Sequence, residues 1–348
     1  MAVDLRPLSQ PARQTVKARL IGIYALLAVM NVGAWLWAFV AFIDKPTLLG
    51  MALLVYGLGL RHAVDADHIA AIDNVTRKLM QMHQRPVSVG FFFAFGHSAI
   101  IVIVAGTVAV AATLLDRFQA FKDVGGTVST VISSVFLLSI AAMNIFIFAS
   151  IYRTYRRARA TGDYVEEDLD ILLNGRGFLA RLLRPVFRLV TRPWHMFFLG
   201  FLFGLGFDTA TEVAMFGVSV QQASQGVPLI SVLVFPALFA AGMSLVDTTD
   251  GVMMLGAYEW ASVKPMRKLY YNMMITLVSI VVAVCVGGIE ALGLVSDEFS
   301  LQGKFWDFIG ILRENFNAIG FAIVGIFALA WAGSYALYRL RRLDRMEA

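Results

Sequence analysis

Cysteine is almost absent. The 348 residues include one, Cys285, so neither an internal disulfide nor a multi-thiolate metal site can form. Charge is scarce as well: 15% of residues are charged and 59% are apolar, whereas soluble domains are about a quarter charged and roughly half apolar. That balance disfavours a large soluble globule. No Gly-x4-Gly-Lys-Ser/Thr phosphate loop occurs, which excludes ATP hydrolysis by that route. No segment alternates apolar and polar residues as the strands of a membrane β-barrel would.

Apolar blocks fill the chain instead, over residues 20–43, 47–75, 87–115, 127–152, 194–220, 228–257, 269–295 and 315–338. A bilayer crossing takes about 20 such residues in helical form. The expected fold class is therefore an all-α integral membrane protein with eight transmembrane helices, residues 1–348 making a single membrane domain. The first block runs to about 23 residues, longer than the 7–15 of a signal-peptide core, so no cleavable signal is expected.

Lysine and arginine orient the bundle. Arg6, Arg13, Lys17 and Arg19 precede the first block; Arg77, Lys78 and Arg85 follow the second. Nine arginines lie between 153 and 192, then come Lys264, Arg267 and Lys268, and finally Arg339, Arg341, Arg342 and Arg345. These 23 positive residues fall on one side, against five (Lys45, Arg117, Lys122, Lys304, Arg313) on the other, with Arg61 inside a block. The positive-inside rule makes both termini cytoplasmic. Residues 1–19 then form a cytoplasmic N-terminus, 20–152 spans one to four, 153–193 a cytoplasmic loop, 194–338 spans five to eight, and 339–348 a cytoplasmic tail. The net charge of +5 reflects that topology and contact with anionic lipid, not nucleic-acid binding.

Several polar residues occupy places where lipid makes them costly. Span two holds Arg61, His62, Asp65, Asp67 and His68, with Asp73 toward its cytoplasmic end; span three holds His97 and Ser98. Span five holds Asp208, Thr209 and Glu212, and span six Asp247 and Asp250. Burying six carboxylates (Asp65, Asp67, Asp208, Glu212, Asp247, Asp250) unpaired in lipid would cost on the order of 15–20 kcal/mol. Internal ion pairing is the competing reading for any one of them, but a single arginine cannot neutralise six acids. A bound cation can. Two imidazoles within His-x4-Asp-His suit Ni²⁺, Co²⁺, Zn²⁺ or Cu²⁺ rather than Mg²⁺ or Ca²⁺, which prefer oxygen. On a regular helix His62, Asp65 and His68 share an arc of about 120° while Asp67 points away. Either Asp67 meets a different neighbour, or the helix is distorted, for which Gly57-Leu58-Gly59 offers a place. His97 is deep enough to be a third imidazole; His83 and His195 sit at span ends as interfacial residues.

Three short matches recur in order. Ala28-Val29-Met30-Asn31 resembles Ala141-Ala142-Met143-Asn144, Tyr56-Gly57-Leu58-Gly59-Leu60 resembles Phe203-Gly204-Leu205-Gly206-Phe207, and Phe93-Ala94-Phe95-Gly96-His97-Ser98 resembles Phe239-Ala240-Ala241-Gly242-Met243-Ser244. An offset of three spans reverses the direction of crossing. Spans one to three and four to six would then form an inverted repeat with the cation site at its midplane interface, and two extra helices outside it.

At these residues the chain resembles the nickel/cobalt transporter (NiCoT) family. The resemblance rests on Arg61-His62-Ala63-Val64-Asp65-Ala66-Asp67-His68-Ile69, Phe95-Gly96-His97-Ser98, Leu205-Gly206-Phe207-Asp208-Thr209-Ala210-Thr211-Glu212 and Gly242-Met243-Ser244-Leu245-Val246-Asp247-Thr248-Thr249-Asp250. It implies high-affinity uptake of Ni²⁺, with Co²⁺ as a second cargo, by a one-component permease of the cytoplasmic (inner) membrane. In that family His62, Asp67 and His68 match the metal-recognition motif. Asn31 and Val64 match positions tied to the choice between nickel and cobalt, and valine at 64 looks like the nickel-preferring type.

The expected site is therefore His62, Asp67, His68 and His97, with Asp65, Asp208, Thr209, Glu212, Asp247, Asp250 and Ser98 along the path or behind the ligands. No catalytic residue, no cofactor beyond the transported ion, no nucleic acid and no partner ATPase are expected. A metal exporter of similar architecture is the nearest alternative. An intramembrane protease lacks its motifs (there is no His-Glu-x-x-His), and a bis-histidine haem carrier would leave the acids unexplained.

Overall fold

The computed structural model describes residues 10–82, 84–110, 115–161, 189–205, 210–261 and 265–340. They form helices, with no strand among the described residues. In chain order these are α1 (Gln10–Phe42), α2 (Pro46–His62), α3 (Ala66–Gln81), α4 (Val89–Val110) and α5 (Leu115–Thr161). A short 3₁₀ turn (Pro193–His195) leads into α6 (Met196–Phe203), followed by α7 (Ala210–Ser224), the single turn α8 (Leu229–Val232) and α9 (Val234–Ala261). The last three are α10 (Pro265–Glu298), α11 (Lys304–Glu314) and α12 (Phe316–Leu340).

Five stretches are continuous, apolar and long enough to cross a bilayer: Val16–Phe42, Val89–Thr107, Val124–Ala149, Leu229–Ala257 and Met273–Glu298. Two more candidates are bent pairs, α2–α3 at 51° and α11–α12 at 70°. The expected fifth span, 194–220, is divided: α6 and α7 flank residues 206–209, which lie outside the described residues. The chain is thus a multi-pass helical membrane protein. Most of the expected 153–193 loop also falls outside the described residues, α5 running on to Thr161.

The bend in α2–α3 does not fall at Gly57 or Gly59, which stay helical, but at Ala63-Val64-Asp65. There Val64 N–H donates to the Arg61 carbonyl (3.1 Å) and Asp65 N–H to that of His62 (2.9 Å). Such short-range bonds tighten a helix end. Asp65 then turns extended (φ −67°, ψ 146°) and α3 starts at Ala66. An aspartate in this position ordinarily caps the helix by accepting a backbone N–H. Asp65 makes no such bond; its carboxylate is committed elsewhere.

Gly59 has a packing role. A β-carbon on it would lie 2.2 Å from the Phe239 carbonyl oxygen of α9, and one on Gly90 of α4 would lie 1.9 Å from that of Asp247. Small residues let membrane helices approach backbone to backbone. The same device joins α4 to α6, where Gly96 meets the Phe197 carbonyl and Gly200 that of Phe93. Two buried apolar clusters result. One gathers Ile69, Ile72, Phe93, Phe136, Met196 and Ile323; the other gathers Phe42, Val55, Ala94, Met215, Phe235 and Phe239. The α2–α3 break and the middle of α4 lie at the seam between them.

Candidate metal centre

Breaking span two at 63–65 changes which side chains can meet. His62 ends α2 and His68 lies in the first turns of α3, so the six residues between them no longer follow one helical screw. The two rings sit edge to face with centroids 4.7 Å apart. His97, from the middle of α4, brings its ring to 5.0 Å from that of His62 and 4.8 Å from that of His68. Among the described residues these three histidines can offer one ligand nitrogen each, all within 4.8 Å of one another. All three are buried, at 1%, 0% and 3% exposure.

Carboxylates surround the rings. His62 Nδ1 lies 3.1 Å from Asp65 Oδ2, and Thr211 Oγ1 is 3.2 Å from the same nitrogen. His68 Nδ1 lies 3.3 Å from Asp247 Oδ2. An imidazole that donates its Nδ1–H to a carboxylate keeps the lone pair on Nε2, which fixes the tautomer suited to a metal. On that side His62 Nε2 is 3.1 Å from His97 Nε2, and His97 Nε2 is 2.9 Å from Glu212 Oε1. Glu212 Oε1 is also 3.7 Å from His62 Nε2. His68 Nε2, fully buried, has no hydrogen-bond partner among the described residues. Nitrogens and a carboxylate oxygen facing one another this closely, inside an apolar bundle, form a donor set of the kind that suits a divalent transition-metal ion.

The remaining expected residues divide clearly. Asp65, Glu212 and Asp247 come to the rings. Asp67 is half-buried in the first turn of α3 and brings no ligand atom into the three-histidine group, although its charge acts on all three rings. Ser98 is buried next to His97, its hydroxyl without a hydrogen-bond partner among the described residues. Asp250 lies one turn beyond Asp247 on α9 and is buried. Asp208 and Thr209 lie outside the described residues. Asn31 stands a layer out: its amide donates to the carbonyls of Leu27 (2.8 Å) and Ala241 (3.3 Å) and accepts from the Tyr56 hydroxyl (2.9 Å). It thereby ties α1 to α2 and α9. Val64 sits in the break itself, its carbonyl against Gly320 of α12, where a β-carbon would be 1.7 Å away.

One residue escaped the sequence reading. Asn317, in the first turn of α12, donates its amide N–H to Asp65 Oδ1 and accepts from Arg61 Nε at 2.6 Å. Helix α12 thus reaches the site through a chain of contacts, Arg61–Asn317–Asp65–His62. The only signal in the sequence was the pair of amides, Asn315 and Asn317, at the start of a mostly apolar block.

Comparison with known proteins follows the same lines. A family profile described as "High-affinity nickel-transport protein" matches residues 48–337. The "High-affinity nickel transport protein" of Cupriavidus necator is 58% identical over 332 residues, 95% of each chain. "Hydrogenase nickel incorporation protein HupN" of Bradyrhizobium diazoefficiens is 51% identical over 313 residues, 90% of this chain and 82% of the relative. "Cobalt transport protein NhlF" of Rhodococcus rhodochrous is 37% identical over 334 residues, covering 93% and 92%. No solved structure matches.

Proposed function

The chain belongs to the high-affinity nickel-transport protein family, and on that premise we propose how it moves its ion. It is a membrane transporter and not an enzyme, and nickel is its cargo rather than a cofactor. In our reading Ni²⁺ is held by Nε2 of His62, His68 and His97 together with Glu212. Asp65 and Asp247 hold the first two rings by their Nδ1–H groups, and Asp67 adds negative charge at the N-terminus of α3. Asp208, Thr209, Ser98 and Asp250 line the path. The observation that supports this most strongly is the convergence of three buried imidazoles from three helices, within 4.8 Å of one another.

Nitrogen-rich ligation favours a late transition metal over Mg²⁺ or Ca²⁺. Nickel lies below copper in intrinsic affinity, so selection falls to the shape of the site. Asn31 and Val64 act there at one remove, Asn31 by fixing α2 against α9 and Val64 by setting how α12 seats on the break. Co²⁺ is the second cargo.

The direction we assign is uptake through the cytoplasmic (inner) membrane, with both termini cytoplasmic and eight spans in all. A divalent ion moving inward across 100 mV gains roughly 4.6 kcal/mol, enough for over a thousandfold accumulation without an ATPase. The inverted repeat is supported by the glycine contacts: span two of one copy docks on span six of the other, while span five docks on span three. The test is accumulation of radioactive nickel by cells carrying His62→Ala. Loss of uptake with normal protein abundance is expected, and undiminished uptake would overturn the site.

A further inference from the structure

A site that binds Ni²⁺ through three imidazoles must also give it up. Proceeding cytoplasm-ward from the rings, the acidic residues do not stop at Asp247. Asp250 lies three residues on along α9, about 4.5 Å of axial rise and on the same face. Asp73 lies five residues beyond His68 along α3, about 7.5 Å in the same direction. The two helices meet at this level: a β-carbon on Gly251 would touch Ile72 Cγ2 at 3.3 Å. Asp73 is wholly buried and accepts a 2.8 Å hydrogen bond from Ser279 of α10.

Asp250 is the unusual member. It is 5% exposed, and neither carboxylate oxygen has a hydrogen-bond partner among the described residues. The carboxyl groups that act on it are those of Asp73 and Asp247. Buried charge without compensation costs several kcal/mol, and buried polar groups in native proteins are almost always paired. Its own helix neighbour Thr249 turns away, donating to the Leu245 carbonyl at 2.7 Å. Either a proton or a bound cation must neutralise Asp250.

We propose that Asp250 and Asp73, with Ser279 behind Asp73 and Asp247 shared with the histidine site, form a second cation station that accepts the ion on its way out. The inference rests on the uptake reading above and adds a step to it. The station is built of oxygen alone, so it binds a late transition metal less tightly than the imidazoles do. It stands close enough for an ion to pass from one to the other through Asp247. Arg77 bounds it one turn further along α3, its Nη1 donating to Thr276 of α10 at 2.8 Å. A fixed positive charge there keeps the station from becoming a trap. The order of sites, nitrogen first and oxygen second, makes unloading downhill toward the cytoplasmic side.

The test uses the purified full chain and Mn²⁺, a cation that favours oxygen ligands, read by electron paramagnetic resonance, alongside Ni²⁺ read by X-ray absorption. A His62→Ala/His68→Ala double variant is expected to retain bound Mn²⁺. Asp250→Asn is expected to weaken Mn²⁺ binding by about tenfold or more while Ni²⁺ keeps its imidazole ligands. Asp73→Asn, read the same way, guards against a folding defect peculiar to one variant. Loss of Mn²⁺ from the double histidine variant, or Mn²⁺ affinity unchanged in both aspartate variants, would overturn the second station. Absence of imidazole ligation of Ni²⁺ in the wild-type chain would instead overturn the histidine site.

Discussion

Helix α1 and the bent pair α2–α3 are both apolar enough to enter the same bilayer, yet they obey opposite rules. The window of α1 that would meet lipid is 22% buried, and its exposed residues are large and apolar: Val29, Leu36, Val40. In α3 every residue from Ala66 to Leu79 is buried except Asp67, although the run includes His68, Asp73, Asn74, Arg77 and Lys78. A soluble helix hides its apolar face; here polar residues are hidden and apolar ones face outward, because lipid rather than water is the solvent. The difference has a cost in tolerance. α1 can absorb substitution on most of its surface, whereas α3 and the break before it hold buried polar groups tied to named partners, among them Asp65, His68, Asp73, Asn74 and Arg77.

Glycine substitutions should separate the two regions most sharply. Gly90→Ala forces a β-carbon into the Asp247 carbonyl, and overpacking of this kind reaches the top of the roughly 1–3 kcal/mol range. A markedly lower melting temperature in detergent and loss of uptake are expected. Gly33→Ala on α1 meets nothing within 4 Å and should leave both unchanged. Next in size is His97→Ala, for which nickel uptake should fall more than about 100-fold, beyond the 10–100-fold typical of groups behind the ligands, with the protein still folded. Third is pH. A protonated ring nitrogen has no lone pair for a metal, so apparent nickel affinity should fall on acidification and recover on return. An affinity independent of pH would mean that imidazoles do not hold the ion. Asn317→Ala should act more gently, weakening half-saturation by about tenfold through misplacement of Asp65, with little change in maximal rate. Smallest of all is Val40→Ala, 81% exposed on α1, with transport unchanged.

Much of this was legible from residue order alone, for identifiable reasons. Lipid demands long apolar runs, so the positions of the helices followed from hydropathy. The cost of intramembrane charge singles out His62, His68, His97, Asp65, Asp67, Asp208, Glu212, Asp247 and Asp250. Helical periodicity also showed that span two could not present its whole motif on one face. What periodicity could not supply was the location of the break: Gly57-Leu58-Gly59 looked like the weak point, but those glycines serve close packing and the backbone turns at Ala63-Val64-Asp65. The partner of His68 was equally hidden, since Asp247 lies 179 residues away on another helix, whereas Asp65, three residues from His62, already shared its arc. Asn317 was invisible for a related reason. Its contact spans more than 250 residues of sequence, and no pattern local to span eight points to Asp65.

We propose that three imidazoles and a carboxylate from four helices meet around one ion. Nickel K-edge X-ray absorption on the purified, nickel-loaded chain tests it most directly. The expected spectrum contains multiple-scattering features of three imidazole rings, reduced to two in His97→Ala. A spectrum of oxygen ligands alone, unchanged by His97→Ala, would contradict it.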